Sequence, residues 1–268
     1  MFDIGVNLTN NAFREDRDDV VRRAVEAGVQ AMAITGTNLR SSRDAIELAD
    51  YYNENSACVL CTTAGVHPHD AKCLSPGWLD ELENMARSAA VAAIGETGLD
   101  FNRNYSPRET QLDVFHAQLD LAARTALPVF VHDRDSGGEV ARILEQYSSR
   151  LNSVVVHCFT GSAADLDTYL SAGYFIGITG WVCDERRGAE LARLVPVIPP
   201  QTLLLETDAP FLLPRTLSPR PKSRRNEPAN LICVAERVAS LRDEPTDEVR
   251  RQTQLNAEQF FQCSVPSR

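Results

Sequence analysis

The chain alternates short apolar runs with longer stretches in which apolar residues recur at helical spacing. The short runs are rich in small and β-branched residues, as is typical of buried strands. The longer stretches place apolar residues three and four positions apart, the period of a helix that buries one face, as in Val20, Val21, Ala24, Val25 and Ala27. The pattern predicts strands near residues 2–6, 31–35, 59–64, 91–95, 128–132, 153–157, 174–178 and 202–206.

Two local signals mark helix boundaries. Ser106 and Glu109 have the spacing of a capping box, with Pro107 at the first helical position, which predicts a helix from there to about residue 126. Gly173 follows an apparent helix and predicts its end, directly before the next strand.

The number of strand-plus-helix units decides the fold class. Eight such units followed by two further helical stretches favour an α/β fold of the (β/α)8 barrel type over an open, doubly wound sheet. No change in composition and no flexible linker marks a second domain. Residues 1–268 are therefore predicted to form one domain.

Composition narrows the class of protein. The 268 residues are 43% hydrophobic and 24% charged, and no apolar run approaches the ~18 residues that span a bilayer, so we expect no membrane partner. The first residues lack the basic and apolar regions of a signal peptide. Seven scattered cysteines favour a cytoplasmic location. Cys58 and Cys61 are spaced as CxxC, but without a second pair they are interpreted as structural.

The formal charge of -10 argues against a protein that coats duplex nucleic acid through bulk attraction. One basic segment stands out against this background. It contains Arg215, Arg220, Lys222, Arg224 and Arg225, interleaved with prolines. Taken alone, this segment is more simply interpreted as a solvated, proline-stiffened loop.

Polar side chains collect where the predicted strands end. In a (β/α)8 barrel the chemistry lies on the loops that leave the C-terminal ends of the strands. Four of the five histidines lie at such ends, together with several charged residues. These residues are His67, His69, Glu96, Asp100, His132, Arg134, His157, Glu206 and Asp208.

Glu96, His132, His157 and Asp208 come from four different strands, which barrel closure would gather around one axis. Any one of them alone would more commonly be scaffolding. Together, two imidazoles and two carboxylates form a shell suited to a divalent ion; Mg²⁺ or Mn²⁺ is favoured for an anionic substrate, with Zn²⁺ next. Such an ion activates water and stabilises a leaving group, so the pattern predicts a hydrolase.

Longer stretches of the sequence resemble the TatD family of metal-dependent deoxyribonucleases. The similarity runs nearly the length of the chain, in the order MFDIGVNLT, AGVHPHD, VAAIGETGLDFNRN, VVVHCFTG, IGITGWVCDERRG, LLLETDAPFLLPR and SRRNEPAN. The resemblance implies a TIM barrel of the amidohydrolase type. It also implies a 3′ to 5′ exonuclease that acts on ends of single-stranded DNA or RNA and requires Mg²⁺.

The resemblance assigns metal ligands by position. The family's bridging carboxylate falls on Glu96, its two later histidine ligands on His132 and His157, and its strand-8 aspartate on Asp208.

The HPHD segment, residues 67–70, lies beside the metal in this family and reaches the scissile phosphate. His67 is the stronger candidate for substrate contact, whereas His69 either contacts substrate or supports the loop. In the predicted hydrolysis, Asp208 or Glu206 accepts the proton of the attacking water while His67 steadies the developing charge.

With this resemblance, the basic segment follows strand 8 on the catalytic rim, where cations can hold a nucleic-acid backbone. The arginines predicted to bind substrate are Arg134, Arg215, Arg224 and Arg225. Arg186, Arg187 and Trp181 follow strand 7. The two arginines are candidates for phosphate contacts and Trp181 for base stacking, although Trp181 is equally well explained as a filler of the core or rim.

The sequence departs from the family at the end of strand 1. Most members carry Asp-x-His-x-His there, which supplies two ligands for a second metal, whereas Gly5 and Asn7 occupy the histidine positions here. Glycine offers no side chain and an asparagine oxygen is a weak, neutral ligand. The number of metal ions, one or two, therefore stays open.

Two other functions stay open at the level of sequence. One is hydrolysis of another ester or amide, such as an aminoacyl-tRNA linkage, because metal-bound hydroxide attacks carbonyl and phosphoryl centres alike. The other is a non-catalytic nucleic-acid-binding barrel whose metal site has decayed, although the presence of all four ligands counts against decay. We expect a monomer, since no exposed apolar stripe is evident.

Overall fold

The computed structural model describes residues 1–219 and 221–265. Within these residues, eight parallel strands form one sheet in which each strand pairs with the next along the chain. The strands are β1 (Phe2–Val6), β2 (Ala31–Ile34), β3 (Val59–Ala64), β4 (Val91–Asp100), β5 (Val129–Arg134), β6 (Val154–Val156), β7 (Phe175–Ile178) and β8 (Leu203–Leu205).

Helices alternate with the strands, as parallel neighbours require. They are α1 (Arg17–Glu26), α2 (Leu39–Asn55), α3 (Trp78–Met85), α4 (Arg108–Thr125), α5 (Glu139–Tyr147), α6 (Ala163–Ser171), α7 (Ala189–Leu194), α8 (Leu231–Arg242) and α9 (Thr246–Phe261). The predicted (β/α)8 barrel is confirmed, and Gly173, with φ +77°, follows the end of α6 as expected. Among the described residues, no helix is both long and apolar enough to cross a bilayer.

The end of β8 returns to β1. Val6 and Ala209 form an isolated parallel bridge, and the Asn7 N–H donates to the carbonyl of Ala209 at 2.8 Å. The Asp208 N–H donates to the carbonyl of Gly5, also at 2.8 Å. The sheet therefore forms a nearly closed barrel in which the polar ends of all the strands face one opening.

Apolar side chains fill the interior of the barrel. The inward-facing residues come from every strand and are Phe2, Ile4, Ala31, Ala33, Cys61, Ala93, Phe130, Val155, Phe175 and Leu204. Helix α9 covers the opposite opening, where the strands begin. Phe261 stacks on Phe2 with ring centroids 5.5 Å apart, and Phe260 meets Phe175 edge to face at 5.6 Å. A larger apolar layer between strands and outer helices completes the core.

Strand β4 is longer than predicted. It pairs with β5 as far as Gly98 with His132 and Asp100 with Arg134. The register shifts between Ile94 and Thr97, which is the mark of a β-bulge. The prediction ended at residue 95 because the glycine-containing stretch that follows lacks an apolar pattern.

The start of α4 differs from its prediction in one respect. Pro107 caps the helix without a side-chain hydrogen bond, so the predicted capping box is wrong. The Ser106 hydroxyl instead accepts the Lys72 N–H at 3.1 Å and donates to the carbonyl of His69 at 2.9 Å. The Ser106 hydroxyl, which local spacing assigned to a helix cap, therefore bonds to a segment distant in sequence.

Gly98 lies where the fold requires glycine. Its φ is +134°, and a Cβ built there would lie 2.0 Å from the carbonyl oxygen of His132. We expect Gly98→Ala to lower the free energy of unfolding by about 3 kcal/mol or more, because both strain and steric overlap result. Urea denaturation measures this loss.

Gly77→Ala is the matched control. Gly77 also has a positive φ, +86°, but a Cβ there would meet nothing within 4 Å. Its expected loss is about 1–2 kcal/mol, from backbone strain alone. Equal losses in the two variants would contradict the steric argument.

Candidate metal centre and active site

Glu96 lies in the irregular part of β4. The register shift between Ile94 and Thr97 spans it, and bulges of this kind often redirect a side chain beside an active site. Gly95 precedes it with φ +151°, at a point where a Cβ would lie 2.4 Å from the carbonyl oxygen of Phe130. The Glu96 side chain is buried, with 6% of the residue exposed.

The carboxylate of Glu96 lies against three imidazoles. Its Oε1 is 3.2 Å from His67 Nε2, 2.9 Å from His132 Nδ1 and 2.7 Å from His157 Nε2. Burial alone would raise the pKa of Glu96, but the nearby His157 and His67 outweigh it and hold the pKa well below its usual range. Glu96 is therefore an anion at the mouth of the barrel.

His157 is oriented by a second buried carboxylate. Its Nδ1 is 3.3 Å from Glu206 Oε2, while Glu206 Oε1 accepts the N–H of Cys158 at 2.5 Å. When Nδ1 donates its proton to Glu206, the lone pair of Nε2 faces Glu96 at 2.7 Å. Two electron-rich atoms at this distance require a proton or a metal ion between them. Carboxylate–histidine–metal arrangements are built in this way.

His132 offers a nitrogen without a partner. Its Nδ1 faces Glu96, whereas its buried Nε2 has no hydrogen-bond partner among the described residues. The nearest carboxylate oxygen to Nε2, on Asp100, is 3.8 Å away. An orphaned buried nitrogen is costly unless a ligand engages it, so His132 fits a site that binds an ion or a substrate atom.

The tautomer of His67 indicates a different role. Its Nδ1 accepts the N–H of His69 at 3.1 Å, so the neutral ring carries its proton on Nε2. Burial lowers the pKa of His67, which favours this neutral form. Ligand atoms of His67, Glu96 and His132 lie within 4.8 Å of one another, but a protonated Nε2 donates to an oxygen more readily than it ligates a metal.

His69 lies beside Asp100. The His69 Nε2 is 2.5 Å from Asp100 Oδ2, while Asp100 Oδ1 accepts the N–H groups of Asn102 at 3.0 Å and Arg103 at 2.8 Å. Together with the contact from Ser106, these bonds fix the segments that follow β3 and β4. The His69 side chain therefore supports the loop on which His67 is placed.

Asp208 follows β8 in the left-handed region, with φ +50°. Its Oδ1 accepts a hydrogen bond from the Asn7 side chain at 2.9 Å. Burial raises the pKa of Asp208 to about 7; His157 opposes the rise, and repulsion from Glu96 and Glu206 adds to it. Asp208 thus faces the same group of charges as the other three predicted ligands.

Glu206 occupies the space that a histidine at the end of β1 would need. A Cβ on Gly5 would lie 2.5 Å from Glu206 Oε2, and a Cβ on Gly177 would lie 2.7 Å from Glu206 Oε1. The carboxylate therefore lies between β1 and β7, where two glycines make room for it. This explains physically why position 5 carries no side chain.

Three of the predicted substrate-binding arginines lie near the barrel mouth. Arg134 ends β5, in register with Asp100 of β4. Arg215 Nε is 3.0 Å from Asp184 Oδ2, and Arg215 lines a groove together with the exposed Arg224.

Arg225 is engaged elsewhere. Its guanidinium donates to the carbonyl of Ala12, to both oxygens of Asp16 and to Glu227 Oε1, each at 2.7 Å. Hydrogen bonding to Arg225 holds the pKa of Asp16 down to about 2. The residue ties the segment after β8 to the segment before α1. Arg220, from the same basic segment, lies outside the described residues.

Sequence reasoning gave no role in the site to two residues that hold it together. Asp100 was among the polar residues at the predicted strand ends, but its contact with His69 was not predicted. Ser106 could not be identified, because its local spacing suggested a helix cap rather than a contact with the His67 loop.

Comparison with known proteins places this geometry in context. Residues 2–262 match the family model described as TatD related DNase. The 3′-5′ ssDNA/RNA exonuclease TatD of Erwinia amylovora is 52% identical over 97% of this chain and 99% of its own. The protein of the same name from Klebsiella pneumoniae is 51% identical over 99% of each chain.

Solved structures of three other proteins have the same fold. A TatD family hydrolase from Entamoeba histolytica superimposes with a TM-score of 0.89 at 30% identity, over 97% of each chain. A TatD homologue from Escherichia coli gives 0.88 at 28% identity, over 98% of each chain. An amidohydrolase from Saccharomyces cerevisiae gives 0.85 at 25% identity, over 97% of this chain and 99% of its own.

The two neighbouring arginines of the basic segment are expected to respond differently to mutation. Arg225→Ala should lower the free energy of unfolding by about 1–2 kcal/mol, because the carbonyl of Ala12 loses this donor and Asp16 and Glu227 keep only their bonds to Arg23. Arg224→Ala, the matched control on an exposed side chain, should change it by less than about 0.5 kcal/mol. Chemical denaturation compares the two, and equal stability of both variants would contradict the assignment.

Proposed function

The chain belongs to the family of TatD-related DNases, and from that membership we propose that it is a metal-dependent 3′ to 5′ exonuclease. It hydrolyses phosphodiester bonds at the ends of single-stranded DNA and RNA, the activity named for its relatives. The observation that carries the proposal is the buried Glu96 anion held among three imidazoles at the mouth of a barrel of this family.

In this proposal Glu96, His132, His157 and Asp208 hold the metal. The orphaned Nε2 of His132 and the facing lone pairs of His157 and Glu96 fit a cation. Mg²⁺ suits an anionic substrate best, with Mn²⁺ or Zn²⁺ as alternatives. When bound, such an ion supplies Lewis acidity and lowers the pKa of coordinated water.

Side chains of the protein accept the proton of the attacking water, stabilise the developing charge and orient a metal ligand. The Asp208 carboxylate, buried beside Glu96 and Glu206, accepts the proton of the attacking water. The Nε2–H of His67 donates to a phosphate oxygen as negative charge develops there. Glu206 keeps His157 in the tautomer that leaves its Nε2 free.

Cations near the mouth hold the nucleic-acid backbone. Arg134, Arg215 and Arg224 contact phosphates in this proposal. Arg225 contributes indirectly, because Asp16 and Glu227 already engage it and it fixes the segment that carries Arg224. His69 acts in the same indirect way through its contact with Asp100.

The proposal also covers the domain organisation, the oligomeric state and the cellular location of the protein. Residues 1–268 form one domain that works as a monomer in the cytoplasm. Free thiols at all seven cysteines, Cys58 and Cys61 among them, are what a reducing compartment maintains. Hydrolysis of another ester or amide, and a purely binding role, are less well supported because the relatives are named exonucleases.

Metal-dependent turnover is the first test. We expect wild-type protein to release mononucleotides from a single-stranded oligonucleotide with Mg²⁺ and to stop when EDTA is added. Glu96→Gln should lower kcat/KM by about 100-fold or more, because the buried anion that gathers the imidazoles is lost. Glu145→Gln, on an exposed position of α5, is the control. A Glu96→Gln variant with wild-type turnover would rule out this centre.

End dependence is a separate test. A linear strand labelled at its 3′ end should lose the label with the first nucleotide released, while the strand is still nearly full length. A circular single strand of the same sequence should stay intact, because it offers no end. Gel electrophoresis of both substrates measures this. Cleavage of the circle at the linear rate would replace the exonuclease with an endonuclease.

A further inference from the structure

A groove lies between the segments that follow β7 and β8. Its lining includes Trp181 and Arg187 from the first segment and Leu212, Arg215 and Arg224 from the second. Both segments leave the C-terminal ends of their strands, so the groove opens on the same side of the barrel as Glu96. Trp181 takes no part in the proposed hydrolysis.

Backbone contacts fix the walls of this Trp181 groove. A Cβ on Gly180 would lie 2.2 Å from the carbonyl oxygen of Leu212, and a Cβ on Gly188 would lie 2.0 Å from that of Trp181. Only glycine allows these approaches. The first packs the two segments against each other, and the second folds the segment after β7 back on itself. The groove is therefore a formed surface.

Asp184 joins the two walls by charge. This buried carboxylate accepts the N–H groups of Arg186 at 3.0 Å and Arg187 at 3.1 Å, and its Oδ2 lies 3.0 Å from Arg215 Nε. The Arg215 side chain remains 45% exposed. Asp184 thus binds the backbone N–H groups of Arg186 and Arg187 on one wall and the side chain of Arg215 on the other.

The groove is positive in a protein whose net charge is -10. Within the part of the chain that the structure describes, the exposed guanidinium groups of Arg187 and Arg224 form no ion pair, in contrast to Arg225 with its two acids. Together with Arg215, these cations exceed the single carboxylate of Asp184. Such a local excess attracts a polyanion that the whole protein would repel.

The distance to the reaction centre is short. Leu212 follows Asp208 by four residues, so the chain between them spans at most about 14 Å. A strand whose terminal phosphate lies at Glu96 can therefore reach Trp181 with one of its next nucleotides.

We propose that the Trp181 groove is a nucleotide subsite in which an unpaired base of the substrate strand stacks on the indole of Trp181. Arg187, Arg215 and Arg224 hold the flanking phosphates. This inference rests on the proposed nuclease function and adds to it a source of strand selectivity. A base in a duplex has its faces covered by its neighbours, so the subsite accepts only a single strand.

The subsite acts on binding, away from the scissile bond. Trp181→Ala should raise KM for a twelve-residue oligo(dT) by about ten-fold and change kcat by less than about two-fold, because stacking on one aromatic ring carries an effect of this size. Trp181→Phe, which keeps an aromatic face, should recover most of the loss. Trp78→Phe, at the start of α3, is the control.

The kinetic outcomes separate the two proposals. If wild-type protein degrades oligo(dT) but Trp181→Ala leaves KM unchanged, the subsite is wrong and the nuclease function stands. If wild-type protein degrades no single strand with any divalent metal, the nuclease function itself fails.

Fluorescence gives a second readout that does not depend on how Trp181→Ala folds. The chain has two tryptophans, so Trp78→Phe leaves Trp181 as the only indole. A phosphorothioate oligo(dT) that resists hydrolysis should quench its emission in the presence of Mg²⁺, and more strongly than it quenches Trp78 in the Trp181→Phe variant. Unchanged Trp181 emission at concentrations where this oligonucleotide inhibits hydrolysis would overturn the subsite.

Discussion

A buried negative charge is the constraint on which the site depends. The Glu96 carboxylate lies out of water, where an uncompensated anion is costly, and the imidazoles of His67, His132 and His157 compensate it. These imidazoles arrive on different strands or on the loops that follow them. The barrel must therefore close in the correct register before the charge is tolerated, and this links the chemistry of the site to the geometry of the whole sheet.

The same constraint accounts for the departure from the family at the end of β1. Glu206 brings a second buried carboxylate to the mouth, and Gly5 and Gly177 leave space for it. Its oxygens are matched by His157 and by the backbone of Cys158. A carboxylate that orients one imidazole thus lies where a side chain at position 5 would have to pass.

Much of this molecule could be predicted from its sequence, because strand ends in a barrel converge whatever their exact boundaries. Eight apolar runs were sufficient to predict the fold and to bring Glu96, His132 and His157 together. The tautomer of His67 and the bonds of Ser106 could not be predicted, since both depend on partners that only the folded chain supplies. The structural role of Arg225 could not be predicted either, because its partner Asp16 lies more than two hundred residues away in the sequence.

Helix α9 imposes an order on biosynthesis. Phe260 and Phe261 cover the opening where the strands begin, and Phe2 from the first strand stacks on Phe261. During translation the interior of the sheet is therefore exposed at its base until the helix that covers it has left the ribosome, and contacts between such distant segments form slowly. The nascent chain therefore shields its apolar interior only after α9 has been made, later than all eight strands.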